Sequence, residues 1–213
     1  LVTTDVAAAA ALTLYLAGLA AAFGARSWIH RRRTGSTGFR GLSGAPGSAE
    51  WWGGIFFAAA LVLGAAGPAL ALTGATAPIA LPAGVQWAGL AVAIAGFVGV
   101  LAAQAGMGAS WRIGVDTTER TGLVTSGMFA VVRNPIFTAM LTALLGLALL
   151  VTTAVTVAAL VCLLLAVEIQ VRLVEEPYLL RTHGPAYARY AQRVGRFLPG
   201  LGTLAPHPSQ ADE

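Results

Sequence analysis

Residues 110 to 137 read SWRIGVDTTERTGLVTSGMFAVVRNPIF, a gathering of arginines, acids, hydroxyls and glycines in a chain otherwise dominated by Ala, Leu, Val and Gly. Gly122 and Gly127, set among Thr125 and Ser126, let backbone N–H groups turn toward a ligand without side-chain obstruction. Asn134-Pro135 has the form of a helix start, with Asn as the cap and Pro in the first turn. A helix N-terminus carries partial positive charge and Arg133 adds a full one, so a carboxylate or phosphate could be held there. A loop that only turns, with an arginine that only fixes topology, accounts for the same residues.

A second polar group comes after the last apolar run. Arg172 stands four residues after Glu168 and three and four before Glu175 and Glu176, a spacing that places all four on one helix face. Charge at the end of an apolar run is costly to leave unpaired, which makes these residues functional candidates. An interfacial ladder of ion pairs is the alternative.

The elements that must position these groups can be read from composition. The chain has 213 residues, 57% hydrophobic and only 10% charged, with a mean hydropathy of +0.75, which excludes an ordinary soluble domain. Apolar windows at about 6–23, 51–72, 85–105, 137–150 and 153–171 predict an all-α polytopic bundle of about five transmembrane helices. The last two form one run broken only at Thr152-Thr153. A single helix of that length would overshoot a hydrocarbon core of roughly 30 Å, so a tight helical hairpin is expected.

Arginine placement tests this topology. All 13 basic residues are Arg, in three groups: 26, 31, 32, 33 and 40; 112, 120 and 133; and 172, 181, 189, 193 and 196. With five spans and the N-terminus outside, every group falls on one face, the cytoplasmic one by the positive-inside rule. The opposite connections, residues 73–84 and 150–153, carry no charge. Positive charge comes after the first apolar segment instead of preceding it, so that segment reads as an anchor and not as a secretory signal. The pI near 10.0 reflects arginines at membrane margins, attracted to anionic headgroups, with no Lys/Arg-rich tail for nucleic acid. A lone cysteine, Cys162, excludes a disulfide framework, and no metal site is expected.

The stretch 168–199 has amphipathic spacing, with Tyr187, Tyr190 and Val194 at helical intervals, and predicts a helix along the membrane surface. It emerges beside the same hairpin as the glycine-rich loop, so the two can meet.

Taken in order, these motifs resemble the isoprenylcysteine carboxyl methyltransferases and their relatives among membrane phospholipid methyltransferases, over about 104–199. Leu123, Val124, Thr125, Gly127 and Phe129 are similar to the family's LVTxGxY. Arg133, Asn134, Pro135, Ile136 and Phe137 are similar to its RHPxY. Glu175, Glu176, Leu179, Gly184, Tyr187, Tyr190, Val194 and Pro199 are similar to its EExxLxxxxGxxYxxYxxxV…P. The resemblance implies a cytoplasmic pocket for S-adenosylmethionine, roofed by the C-terminal helix and open sideways to the bilayer. By position, Gln104, Leu123, Val124, Gly127, Phe129, Arg133, Asn134 and Pro135 would line the cofactor, Glu176, Tyr187 and Tyr190 would close it, and Arg172 and Glu175 would face the acceptor. Two departures stand out: Asn134 and Thr121 occupy positions where the family usually has His, so no histidine can shuttle a proton. Phe129 and Phe137 replace tyrosines.

The resulting expectation is a membrane methyltransferase acting on a lipid-like or prenylated acceptor, with carboxylate O-methylation favoured. Its parts would be spans at 1–103, a methyltransferase core at 104–199 and a tail at 200–213. An NADPH-dependent reductase of the sterol-reductase type and a nonenzymatic scaffold or transporter are the alternatives; the apolar middles of the spans disfavour a transporter. High Ala, Gly and Arg with no Lys points to a bacterium, hence to the inner membrane. Small residues Gly89, Ala93, Gly96 and Gly99 predict a close helix contact, within one chain or between chains, and leave the oligomeric state open. His183 reads as a turn residue, and His30 and His207 as parts of a basic stop and a tail. Met107 and Trp111 could flank the cofactor, or the tryptophan could simply anchor at the interface.

Overall fold

A computed structural model of the protein describes residues 3–25, 27–28, 31–32, 35, 44–107 and 122–205. The stretch 108–121, with Trp111 and Thr121, lies outside the described residues, as do His30 and His207. The fold is all-α: α1 (Thr4–Leu19) runs on into a π-helical turn (Ala20–Ala25), and then come α2 (Ala49–Leu72), α3 (Ala83–Met107), α4 (Pro135–Leu150), α5 (Ala154–Ile169), a second π-helical turn (Gln170–Glu175), α6 (Glu176–His183) and α7 (Pro185–Arg193).

Four of these helices are long and apolar enough to cross a membrane: Thr4–Ala25, Ala49–Leu72, Ala83–Met107 and Ala154–His183. The fourth expected span, α4, has 16 residues and is shorter than a crossing requires on its own. It lies against α3, where each backbone fills the space a side chain would need. A Cβ at Gly96 would stand 2.3 Å from the Ala143 nitrogen, and one at Gly146 would stand 2.3 Å from the Ala93 nitrogen. The small residues of α3 thus serve a contact within the chain, closing at least this choice between intramolecular and intermolecular packing.

The hairpin between α4 and α5 turns at Val151–Thr153. Thr153 and Thr156 form a reciprocal cap: Thr156 N donates to Thr153 Oγ1 (3.1 Å) and Thr153 N to Thr156 Oγ1 (2.9 Å). Both threonines are buried, where uncapped helix donors would be expensive. Ile79 N, from the α2–α3 connection, donates to Thr152 O, so the two uncharged connections meet at one end of the bundle.

The other end collects the arginine-bearing segments. Gln104 Nε2, near the end of α3, donates to Ala22 O in the π-turn after α1 (3.1 Å). π-turns displace backbone carbonyls from the regular ladder, and a buried amide gives this one a partner. Gly53, at the start of α2, lies against Ile169 and Gln170.

Candidate active site at the arginine-bearing end

The glycine-rich loop runs from Gly122 without regular structure, makes a short 3₁₀ turn (Gly127–Ala130) and enters α4 at Pro135. Gly127 has a φ of 60°, a left-handed conformation that favours glycine, and nothing among the described residues lies within 4 Å of where a Cβ would stand. Thr125, Ser126 and Gly127 are exposed, whereas Phe129 is buried.

Asn134 does not cap α4. At φ −125° and ψ 59° its side chain makes no cap hydrogen bond; Nδ2 instead donates to Arg196 O (3.1 Å). That contact belongs to a clasp formed by the chain after α7. Arg133 N donates to Gly195 O (2.8 Å), Asn134 N to Arg196 O (3.1 Å), and Thr138 Oγ1 to Phe197 O (2.9 Å).

Arg133 sits at the centre, its side chain 1% exposed. Nη1 donates to Ala191 O and Val194 O (2.7 and 2.6 Å), and Nη2 donates to Gly202 O and Glu176 Oε1 (2.9 and 2.7 Å). Four of its five N–H donors therefore hold the protein's own chain. The expectation of a free charge presented to an anionic ligand is corrected: the guanidinium is neutralised by Glu176 and binds the fold together. Only Nε, buried, lacks a partner among the described residues.

Glu176 also receives Arg196, whose Nε and Nη2 donate to Oε1 and Oε2 (2.8 and 2.9 Å). This forked pairing raises the Arg196 pKa. One buried carboxylate thus bridges two arginines that lie 63 positions apart in sequence, 196 less 133.

The expected common face of Glu168, Arg172, Glu175 and Glu176 does not form, because the π-turn at Gln170–Glu175 inserts extra backbone into the helix and rotates the residues beyond it. Arg172 pairs with Glu168 at an exposed position, Glu175 accepts from Gln170 Nε2 (3.4 Å), and Glu176 alone turns into the arginine cluster. Nor is 168–199 one surface helix. Gly184, with a φ of 49°, breaks it into α6 and α7, and the apolar face of α7 points inward. Tyr187, Tyr190 and Ala191 are buried against Leu123, Leu179, Val194 and Leu204, so the chain itself covers the face expected to meet the bilayer.

Tyr190 donates its hydroxyl to Phe129 O (2.6 Å), tying α7 to the 3₁₀ turn. Burial pushes its pKa up to about 12. Burial, reinforced by the nearby Glu176 charge, raises that of Tyr187 further.

Of the expected cofactor residues, Leu123, Phe129, Arg133, Asn134, Pro135, Glu176, Tyr187 and Tyr190 are brought together, with Val124 and Gly127 on the adjoining loop. Gln104 is 3% exposed with its amide on the α1 turn. Arg172 stays outside the Arg133–Glu176–Arg196 cluster.

The comparisons with known proteins bear on this end of the molecule. Residues 85–186 match the phospholipid methyltransferase family. The match spans just under half of the chain and agrees with the resemblance carried by the loop and paired-glutamate motifs. Among curated proteins none matches. The family match runs from α3 into the start of α7 and contains Arg133 and Glu176, but it ends before Arg196 and Gly202. Residue order alone marks those two only as a topology arginine and a tail glycine. The available signal is the turn-rich run GRFLPGLG at 195–202, which stops α7 and sends the chain back.

Proposed function

We propose that the protein transfers the methyl group of S-adenosylmethionine to a lipid-like or isoprenylated small acceptor at the inner leaflet of the plasma membrane, with a carboxylate as the favoured acceptor group. The observation that carries this reading is the joining of the glycine-rich loop to the paired-glutamate helix through Arg133 and Glu176 (2.7 Å), both within the stretch matching a methyltransferase family. Arginine placement supports a cytoplasmic site.

The residues fit such a cofactor in two respects. Among the described residues, nothing lies within 4 Å of a Cβ built on the left-handed Gly127, and the buried Arg133 Nε has no partner. Leu123, Val124, Gly127, Phe129, Asn134 and Pro135 would hold it, with Tyr187 and Tyr190 supporting the loop from behind. When bound, S-adenosylmethionine supplies a methyl on a sulfonium, already activated for displacement. The chain's share of the work is then alignment and exclusion of water, effects that can contribute several kcal/mol. The Arg133 clasp fixes the loop, and the Tyr190 hydroxyl holds the Phe129 carbonyl in place. A carboxylate acceptor attacks without losing a proton, which suits a site with Asn134 where a histidine would otherwise stand. An amine or hydroxyl acceptor would hand its proton to a base, for which Glu175 is the nearby candidate. Arg172, on leaving Glu168, could bind an anionic head.

The test is calorimetric titration of the detergent-purified protein with S-adenosylhomocysteine and, separately, NADPH. Binding of the first, weakened about tenfold or more by Gly127→Val, is expected. Binding of NADPH alone would replace this reading with that of a reductase.

A further inference from the structure

After α7 the chain makes a tight turn at Phe197–Leu201. Phe197 packs against the apolar core shared by the spans, whereas Leu198 and Leu201, which bridge across the turn, are 54% and 62% exposed, with Pro199 and Gly200 exposed between them. We propose that this turn dips into the leaflet at the arginine-bearing end of the bundle, placing Leu198 and Leu201 among the acyl chains, and that the bilayer thereby holds the Arg133–Glu176–Arg196 clasp shut. Such an anchor would act whatever group the protein transfers.

Four observations select lipid as the partner. First, the turn starts where a helix enters its apolar run: Thr138 Oγ1, in the first turn of α4, donates to Phe197 O, and Asn134 N donates to Arg196 O. Second, its backbone suits a medium without water. Leu201 N donates to Leu198 O (3.1 Å), Arg196 N donates to Leu201 O (2.8 Å), and Pro199 brings no N–H that would need a partner. Third, its shape is fixed. Gly200 and Gly202 have φ of 72° and 73°, and the turn folds back on Gly195 so closely that a Cβ there would strike the carbonyl oxygens of Leu198 and Leu201. The leucines are therefore presented with little further ordering to be done on insertion. Fourth, Arg181, Arg189 and Arg193 are exposed on the preceding helices, and no acidic residue stands between Glu176 and Asp212. An apolar tip among cations matches an anionic lipid surface. A partner protein is the poorer match, because two leucines fall far short of the roughly 800 Å² that each side of a stable interface buries. Arg196 stands just before the turn and binds Glu176, which binds Arg133, so a tip held in lipid restrains all three.

The full chain carrying Cys162→Ser and a single nitroxide-labelled cysteine, in nanodiscs of phosphatidylcholine and phosphatidylglycerol, tests the insertion by power-saturation EPR with oxygen and with the water-soluble complex NiEDDA. Leu198→Cys and Leu201→Cys are compared with Val157→Cys, exposed on α5, as the lipid reference, and with Ala75→Cys, exposed in the α2–α3 connection, as the water reference. Both leucines are exposed in the fold, so neither substitution disturbs the core. The expected result is that oxygen relaxes the labels at 198 and 201 more than NiEDDA does, as at 157. Relaxation by NiEDDA at the level of position 75 means that the turn lies in water, and protection from both reagents means that another protein or a second copy covers it; either overturns the proposal. In unlabelled protein, Leu198→Glu combined with Leu201→Glu should speed tryptic cleavage after Arg193 and Arg196 at least about tenfold in the same nanodiscs, the order of population change expected when the burial of two leucines is lost. An unchanged rate overturns the coupling of bilayer to clasp. None of these readouts depends on S-adenosylmethionine, so their failure is distinct from failure of the methyl-transfer reading.

Discussion

Helix α4 is held at its two ends by opposite chemistry. Along its membrane half, Ala143 and Gly146 meet Gly96, Gly89 and Ala93 so closely that backbone touches backbone. At its N-terminus, Arg133, Asn134 and Thr138 are bound by hydrogen bonds to a segment some 60 residues later in the chain, and Arg133 by an ion pair to Glu176. In hydrocarbon, burying apolar surface gains little, so contact has to come from close dispersion packing. At the watery end a flexible connection has to be fixed, and directional charged hydrogen bonds do that better than apolar area. A helix of 16 residues keeps its place because both devices act on it.

The sharpest way to break this comparison is Glu176→Gln. It leaves the buried Arg133 and the partly exposed Arg196 without a countercharge, and a loss of about 3–5 kcal/mol is expected, measured by thermal unfolding in detergent. Trypsin should also gain access to Arg193 and Arg196 as the clasp loosens. Gly96→Val attacks the other end. Its Cβ meets Ala143 backbone that cannot yield, so a loss of about 1–3 kcal/mol or more is expected, with no new tryptic site near residue 196. If the two variants open the same tryptic sites, the ends are not independent and the comparison fails.

Arg133→Met should cost less than Glu176→Gln, about 1–3 kcal/mol, because the carboxylate keeps Arg196 while three carbonyls lose their donor. A double-mutant cycle with Glu176→Gln would separate the ion pair from the carbonyl contacts. Gly99→Ala needs a shift of only a few tenths of an ångström and should change stability by less than about 1 kcal/mol, which distinguishes a glycine with room beside it from a packing one.

The smallest effect concerns pH. Tyr190 has its pKa raised by burial to about 12, above the ordinary tyrosine value of 10.0, so the folded state favours the neutral phenol. Its contribution is complete below pH 10 and is lost as pH rises toward 12. Ultraviolet titration should show one late-ionising phenol disappear in Tyr190→Phe, along with the anchoring of α7 to the Phe129 carbonyl.

Much of the architecture is legible in residue order because the bilayer imposes simple rules. Apolar length sets the helices, Thr152-Thr153 marks the hairpin, and arginine placement puts the loop and the paired glutamates at one end. Local periodicity misleads where it is carried through a place at which the helix changes its period. The π-turn at Gln170–Glu175 sends Glu175, Glu176 and Arg172 to three different surroundings, and Gly184 converts one expected surface helix into two, the second of which turns its apolar face inward. Asn134 has the residue type and the proline neighbour of a cap, yet its partner is a carbonyl of Arg196.

Residue order alone determined which segments enter the membrane, which end of the bundle gathers charge and which motifs resemble a methyltransferase, because hydropathy and charge act through composition over short windows. Tertiary structure decided that Arg133 binds the fold instead of a free anion, that Arg196 and Gly202 complete the cluster, and that the Phe197 carbonyl ties the following turn to Thr138 of α4. Those outcomes depend on which distant backbone carbonyl or carboxylate arrives beside a given donor, and long-range hydrogen bonding leaves no periodic trace in the chain.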